Sequence, residues 1–261
     1  MIPGGLAGVE TTLWLWAIAM IRPGAAFLAA PVFNSPAVPV QLRVIIALAI
    51  CIPALSATSF QLPADGIASI DGAMLVAGEV MAGLALGFAI QIGFSAALVA
   101  GTLIGNTMGL GFAAMMDPLT GQQNPVLAQF LTIVGTLVFL SIDGHLALAT
   151  SIVESYRALP PGAAWLSAEA VRGLVYFGST LFAAGLSIAL PVGFSIVLVQ
   201  IMMGMLSRSA PQLNLFAVGF PAALLAGVVL MAIAAPLMGD GLVAAIRAGL
   251  EQSRQLALGH G

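Results

Sequence analysis

Long stretches without any charged residue dominate the chain. The four longest are Val80–Met116, Gly173–Ser207, Ser209–Gly239 and Pro118–Ile142. A membrane-spanning helix needs only about 20 apolar residues to cross a hydrocarbon layer of roughly 30 Å. The first three stretches exceed one crossing, so each must turn back, extend beyond the lipid or lie within protein. With Thr11–Phe33 and Pro36–Phe60, the pattern predicts an all-α integral membrane protein with about six hydrophobic segments.

Composition supports this prediction and excludes other classes of protein. Of 261 residues, 61% are hydrophobic and 7% are charged, and the chain contains no lysine. Because a soluble protein carries about 25% charged residues, a soluble enzyme and a disordered regulator are excluded. The net charge of −3 argues against nucleic-acid binding, which requires clustered basic residues. The expected surroundings are membrane lipid and protein, with no nucleic acid.

Prolines interrupt the hydrophobic segments at both ends of the chain. They are Pro23, Pro31, Pro36 and Pro39 near the N-terminus, and Pro191, Pro211, Pro221 and Pro236 near the C-terminus. A proline inside a helix removes one backbone hydrogen bond, which lipid cannot replace. We therefore expect kinked or broken helices and helical hairpins that face protein over much of their length.

Two sets of residues recur at intervals of four. They are Glu79, Gly83 and Gly87, followed by Gly101, Gly105 and Gly109. Residues four apart lie along one face of a helix, and glycines there let two backbones approach closely. The spacing predicts a helix-packing face, either within this chain or at an interface with another subunit.

Three charged residues fall within or beside the hydrophobic segments. A charge at the middle of a membrane costs about 2.5–3.5 kcal/mol on insertion scales. We expect Glu79 to have an ion pair or a hydrogen bond, and a proton relay is the alternative. Arg22 and Arg43 are expected to extend their side chains to the membrane interface.

Catalytic and metal-binding patterns are lacking in the sequence. A phosphate-binding P-loop needs a lysine, and the chain has only two histidines, His145 and His260. The single cysteine, Cys51, excludes an intrachain disulfide. The run Asp143-Gly-His145 is interpreted as a polar turn between two hydrophobic segments. We expect neither an enzyme nor a cofactor.

A polar segment, Gly109–Pro125, separates two long apolar stretches. Its glycines and prolines oppose a regular helix, and Met115 and Met116 add adaptable apolar side chains. It is interpreted either as an ordinary surface loop or as a movable obstruction in a channel.

The stretch Ser207–Pro221 resembles the R-x-A-P-Q-x-N-x-F-x-x-G-F-P signature of the FliR-type subunits of the type III secretion export-gate family. The matching residues are Arg208, Pro211, Gln212, Asn214, Gly219 and Pro221. The family's N-terminal pattern is matched by Arg22, Pro31, Phe33, Pro36, Pro39 and Arg43, and its E-x-x-x-G-x-x-x-G element by Glu79, Gly83 and Gly87. Ser155, Tyr156 and Pro160 are similar to its S-F-x-x-x-P ending. One departure is Ala222-Ala-Leu, where the family often has a lysine.

The resemblance covers about residues 10–250 and implies a function in protein export. It implies one FliR-like subunit in a helical hetero-oligomeric export gate, with several FliP and FliQ copies, in the bacterial inner membrane at the flagellar basal body. FlhB and FlhA homologues would be neighbours, and unfolded flagellar proteins the substrates. The single membrane domain, residues 1–261, would combine a FliP-like part (about 1–160) and a FliQ-like part (about 165–261).

The same resemblance assigns a channel plug to the central polar segment. Its residues would be Gly109, Gly111, Phe112, Met115, Met116, Asp117 and Pro118. The Asp117-Pro118 pair and the form N-L-F-A-V-G-F-P favour the flagellar system over a virulence injectisome. A small-solute transporter is a further alternative, although two similar halves are not evident.

Arg247 and Arg254 predict a cytoplasmic C-terminus.

Overall fold

Helices account for nearly all of the residues that the structure describes. The computed structural model describes residues 7–57, 63, 66–111, 125–162, 166–209 and 219–259, and these contain no strand. Their helices are α1 (Ala7–Ala29), α2 (Val40–Ala57), α3 (Ile70–Thr107), α4 (Val126–Ser141), α5 (Gly144–Ala158), α6 (Ala168–Ser209) and α7 (Phe220–Ala257). The predicted all-α class is confirmed.

Six of these helices coincide, over part of their length, with the six predicted segments. The seventh, α5, was not expected, because Glu154 and Arg157 interrupt its apolar pattern. The predicted polar turn at Asp143 is present: it separates α4 from α5, and Asp143 adopts a left-handed backbone conformation with φ 57°.

Four helices, α1, α3, α6 and α7, are long and apolar enough to cross a membrane, and α4 with α5 would make a fifth crossing as one bent pair. At about 1.5 Å per residue, the 42 residues of α6 extend about 63 Å, twice the hydrocarbon thickness. Within their most apolar stretches, 56% of residues are buried in α3, but only 28% in α6 and 17% in α7. Much apolar surface of α6 and α7 is therefore not covered by the described part of this chain.

The prolines do not all break helices. Pro23, Pro191 and Pro236 lie inside continuous helices, so the chain does not break at these three positions, and the expected kinks there stay a prediction. The chain does leave the helical conformation at residues 30–39, where three further prolines lie.

The connection between α1 and α2 contains an unusual backbone conformation. Val32 has φ 68°, which is disfavoured for a β-branched residue. Beside it, the rings of Phe27 and Phe33 pack with their centroids 4.6 Å apart. The aromatic contact holds the turn against the end of α1.

The chain forms two compact units. The first unit comprises Met1–Gly93, Phe139–Gly178 and Arg247–Gly261. Within it, α2 packs against α1 and α5. Its buried side chains include Phe27, Cys51, Leu86, Ile90, Leu148 and Ile152.

The second unit comprises Phe94–Val138 and Ser179–Ile246. Its core combines α3, α4, α6 and α7, and includes Ile104, Met108, Leu131, Ile188, Val192, Ile196 and Leu242. Each unit contains segments from both sides of residues 160–165, and the division into FliP-like and FliQ-like parts stays a prediction.

Candidate functional site

A buried ion pair lies within the first unit. Arg22 of α1 and Glu79 of α3 are each 0% exposed. The Arg22 Nε donates to Glu79 Oε2 at 2.9 Å, and its Nη2 donates to Oε1 at 2.8 Å. This two-point geometry matches the planar guanidinium to the carboxylate and gives the charge of Glu79 a partner.

Helix α5 and the residue that follows it supply the remaining hydrogen-bond acceptors of the guanidinium. Arg22 Nη1 donates to Ser155 Oγ at 2.9 Å, and Nη2 also donates to the Leu159 carbonyl at 2.7 Å. The guanidinium carbon lies 4.0 Å from the centre of the Tyr156 ring, within the range of a cation–π contact. The expectation that Arg22 reaches the membrane interface is therefore wrong, because α3 and α5 supply its partners inside the protein.

The hydroxyl group of Tyr156 explains how α1 tolerates its proline. Pro23 has no N–H, so the carbonyl of Ala19, four residues earlier, lacks its usual helical partner. Tyr156 Oη donates to that carbonyl at 2.9 Å. The Tyr156 side chain therefore supplies the hydrogen bond that α1 lacks at Pro23 and also packs against Arg22. We call Arg22, Glu79, Ser155 and Tyr156 the arginine cluster.

The glycine face next to Glu79 packs against α1 within this chain. A Cβ atom added at Gly83 would overlap the Arg22 carbonyl oxygen, and one at Gly87 would overlap the carbonyl oxygen of Ala26. The two backbones approach so closely that only glycine fits at these positions. This places the carboxylate of Glu79 beside α1, where Arg22 binds it.

The second glycine triplet is not uniform. A Cβ at Gly101 would lie 2.6 Å from the Ala128 backbone nitrogen of α4, whereas one at Gly105 would meet no atom of the described residues closer than 3.9 Å. Gly109 has φ 83° and lies just beyond the end of α3, where a left-handed glycine commonly terminates a helix. Of Gly101 and Gly105, only Gly101 lies at a close backbone contact with another described residue.

Arg43 stabilises the connection between α1 and α2. Its Nη2 donates to the carbonyl oxygens of Ser35 and Val38 at 2.9 and 3.1 Å. Pro31 and Pro39, two further members of the N-terminal signature, lie in this connection. These contacts hold the connection in place from the first turns of α2.

The C-terminal signature is partly described. Arg208 is exposed in the last turn of α6, Gly219 precedes α7, and Pro221 is the second residue of α7, where proline is tolerated. Gly111 is exposed. The remaining predicted site residues, Pro211, Gln212, Asn214, Phe112, Met115, Met116, Asp117 and Pro118, lie outside the described residues.

Sequence reasoning missed one contact in the second unit. Gln200 of α6 donates from Nε2 to the carbonyl of Thr107, the last residue of α3, at 2.6 Å. The available signal was an amide side chain inside the uncharged stretch Gly173–Ser207. Over the described part of the chain, no three His, Cys, Asp or Glu side chains come together as a metal site would require.

These features define a multi-pass helical membrane protein with a buried polar cluster and no recognisable catalytic centre among its described residues. The chain belongs to the bacterial export proteins, family 1, whose family model matches residues 13–248. It is 38% identical to the flagellar biosynthetic protein FliR of Pectobacterium carotovorum over 80% of this chain and 79% of that protein. The FliR of Escherichia coli K12 is 35% identical, with 87% and 85% covered. The secretion system apparatus protein SsaT of Salmonella typhimurium is 33% identical over 56% of this chain and 57% of that protein.

Proposed function

We propose that this chain is the FliR-type subunit of a flagellar protein export gate in the bacterial inner membrane, and that unfolded flagellar proteins pass through the assembled gate. The observation that carries the proposal is the family match over residues 13–248, together with flagellar relatives that align with most of the chain. The proposed role is passive conduction of a polypeptide, without catalysis by this chain.

The long, poorly covered helices support assembly with other subunits. At about 57 Å, the 38 residues of α7 exceed the hydrocarbon layer, and only 17% of its most apolar stretch is buried. Lipid can cover about 30 Å of such a helix, and apolar surface beyond that length requires protein. We propose FliP and FliQ homologues, in excess over one copy of this chain, as the covering subunits, with FlhB and FlhA homologues as neighbours.

The segment Gly109–Asn124 is proposed to obstruct the closed channel. The support is its place between two long apolar stretches and the family resemblance; most of it lies outside the described residues. Deleting Gly111–Met116 should leave the complex assembled and raise ion conductance across the membrane. Background conductance in an assembled deletion variant would contradict this assignment.

The test of function is a chromosomal deletion of the coding sequence, complemented with the wild-type chain or with an empty vector. We expect loss of swimming and of secreted flagellar proteins in the deletion strain, restored by the wild-type chain. A tagged chain isolated from native membranes should bring FliP- and FliQ-like proteins with it. Unchanged swimming and secretion in the deletion strain would overturn the proposal.

A virulence injectisome is the second candidate, supported by the relative SsaT. In that case the deletion strain would swim normally and lose secretion of effector proteins. A small-solute transporter would instead purify without FliP- or FliQ-like partners and would move its solute alone after reconstitution.

A further inference from the structure

Helix α1 carries two features that oppose its stability as a single membrane helix. It is apolar enough to cross a membrane over Val9–Ala29. Within that stretch, however, Arg22 is charged, and Pro23 lacks the N–H that the Ala19 carbonyl would bind in a regular helix. Lipid offers no water to replace these partners, so both features cost free energy there. α1 therefore needs polar partners from other parts of the chain.

Two other helices supply these partners, and they supply different ones. Glu79 of α3 neutralises the charge of Arg22 through hydrogen bonds from Nε and Nη2. Ser155 of α5 and the Leu159 carbonyl just after α5 accept hydrogen bonds from Nη1 and Nη2, at 2.9 and 2.7 Å. The Tyr156 hydroxyl of α5 donates to the backbone carbonyl that the proline leaves without its amide. Docking of α3 therefore compensates the charge, whereas docking of α5 supplies the further acceptors and the donor for the backbone.

Arg22 in turn stabilises the carboxyl end of α5. This helix ends at Ala158, and Leu159 has left the helical conformation, with φ −125° and ψ 76°. The guanidinium binds the Leu159 carbonyl at that end, where the helix dipole favours a positive charge. The guanidinium carbon also lies 4.0 Å from the centre of the Tyr156 ring. Each of the two helices therefore contributes to the stability of the other.

We propose that the arginine cluster makes α1 and α5 one cooperative pair: α1 is stably buried only when α5 is docked, and the two helices open together. The contacts from α5 reach α1 across 133 and 137 positions of sequence, so a distant part of the chain completes α1. All four side chains of the cluster are 0% exposed, so these contacts form away from solvent. The inference goes beyond the proposed export function and does not depend on it.

Cys51 is a natural reporter of this opening. It lies on α2, which packs against both α1 and α5, and its thiol is buried. In the detergent-solubilised protein, N-ethylmaleimide should therefore label it faster when the helices spend more time apart. Amide hydrogen exchange along Ala19–Ala26 and Ile152–Ala158 measures the same opening directly at α1 and at α5.

The test compares Tyr156→Phe with Thr150→Val in the complete chain, as isolated from native membranes. Each substitution removes one hydroxyl group from α5, but Thr150 is exposed and its hydroxyl bonds the Leu146 carbonyl of its own helix. We expect amide exchange in both helices and labelling of Cys51 to accelerate about tenfold in Tyr156→Phe, because a buried hydrogen bond is lost, and to be unchanged in Thr150→Val. Exchange at Leu131, in the core of the second unit, should stay at the wild-type rate.

Three results would overturn the proposal. Acceleration in α1 alone would show local fraying at Pro23 without coupling to α5. Equal acceleration at Leu131 would show that the whole chain opens together. Wild-type rates throughout would show that α1 does not need the Tyr156 hydroxyl.

A second set of variants removes the need for α5 instead of the contact itself. In Arg22→Met/Pro23→Ala/Glu79→Leu, α1 regains its backbone amide and carries no charge at the cluster, so adding Tyr156→Phe should no longer accelerate exchange in α1. Pro23→Ala alone is a smaller change and should already weaken the effect of Tyr156→Phe. Each background is compared with and without Tyr156→Phe, which separates this effect from a general change in stability. Undiminished acceleration in either background would show that Tyr156 acts on α1 by another route, and the proposal would fail.

Discussion

The arginine cluster provides a quantitative test of what holds the first unit together. In Glu79→Leu, the guanidinium of Arg22 keeps Ser155 Oγ and the Leu159 carbonyl but loses both hydrogen bonds to a charged acceptor. In Arg22→Met, the Glu79 carboxylate loses the two hydrogen bonds that Arg22 Nε and Nη2 donate to it. Removing one partner of a buried ion pair costs about 3–5 kcal/mol, because the other charge remains buried without compensation.

The double variant Arg22→Met/Glu79→Leu should behave differently. It removes both charges and fills their space with apolar side chains, which is often neutral or stabilising. The Leu159 carbonyl loses a donor, at a cost of about 1 kcal/mol, and Tyr156 loses a cation–π contact of similar size. We therefore expect the double variant to lie within about 2 kcal/mol of the wild type.

Thermal unfolding of the detergent-solubilised complex, followed by far-UV circular dichroism, measures these differences. At about 2–4 °C per kcal/mol, each single variant should unfold about 6–20 °C below the wild type, and the double variant should recover most of the loss. Glu251→Gln, an exposed site on α7, is the control and should not shift the midpoint. The reasoning is refuted if the double variant loses as much as both single variants combined.

Three further predictions concern local geometry. Gly101→Ala should destabilise the second unit by more than 2 kcal/mol, whereas Gly105→Ala, which has room for a methyl group, should be nearly neutral in the same unfolding assay. Tyr156→Phe should cost about 1–2 kcal/mol by leaving the carbonyl four residues before Pro23 unpaired, and Pro23→Ala should suppress that loss by restoring the helical amide; additive effects would contradict this. Val32→Gly should raise the unfolding midpoint because it relieves a left-handed backbone, and a lowered midpoint would show that the valine side chain matters more.

The sequence was sufficient to predict the helical class because uncharged stretches and four-residue glycine spacing are local signals. It also indicated that Glu79 needs a partner, but its partner Arg22 lies 57 positions away, and sequence spacing does not reveal such a pairing. Arg22 was expected at the membrane interface because a long basic side chain in a hydrophobic segment can extend to it. The sequence alone does not show that other helices provide partners inside the protein. The pairing depends on tertiary packing, which brings the Tyr156 ring and the Ser155 hydroxyl to the same point.

Two other differences have identifiable physical causes. Helix α5 was missed because its charged residues, Glu154 and Arg157, interrupt the hydrophobic pattern used to find membrane segments. Of the kink or break expected in α1, no break occurs at Pro23, where Tyr156 supplies the hydrogen bond that the proline removes. A side chain from a distant helix can thus cancel a local backbone penalty, and a pattern search along one segment does not detect it.

The burial of Cys51 has a practical consequence for orientation measurements. The chain's only thiol is 0% exposed in the first unit, so a membrane-impermeant maleimide should leave the wild-type protein unlabelled under native conditions. Cysteines introduced at exposed arginines such as Arg157 or Arg254 can therefore report which side of the membrane each residue occupies without removing the natural cysteine. The wild-type protein therefore serves as the unlabelled control when residues on both faces of the bilayer are mapped.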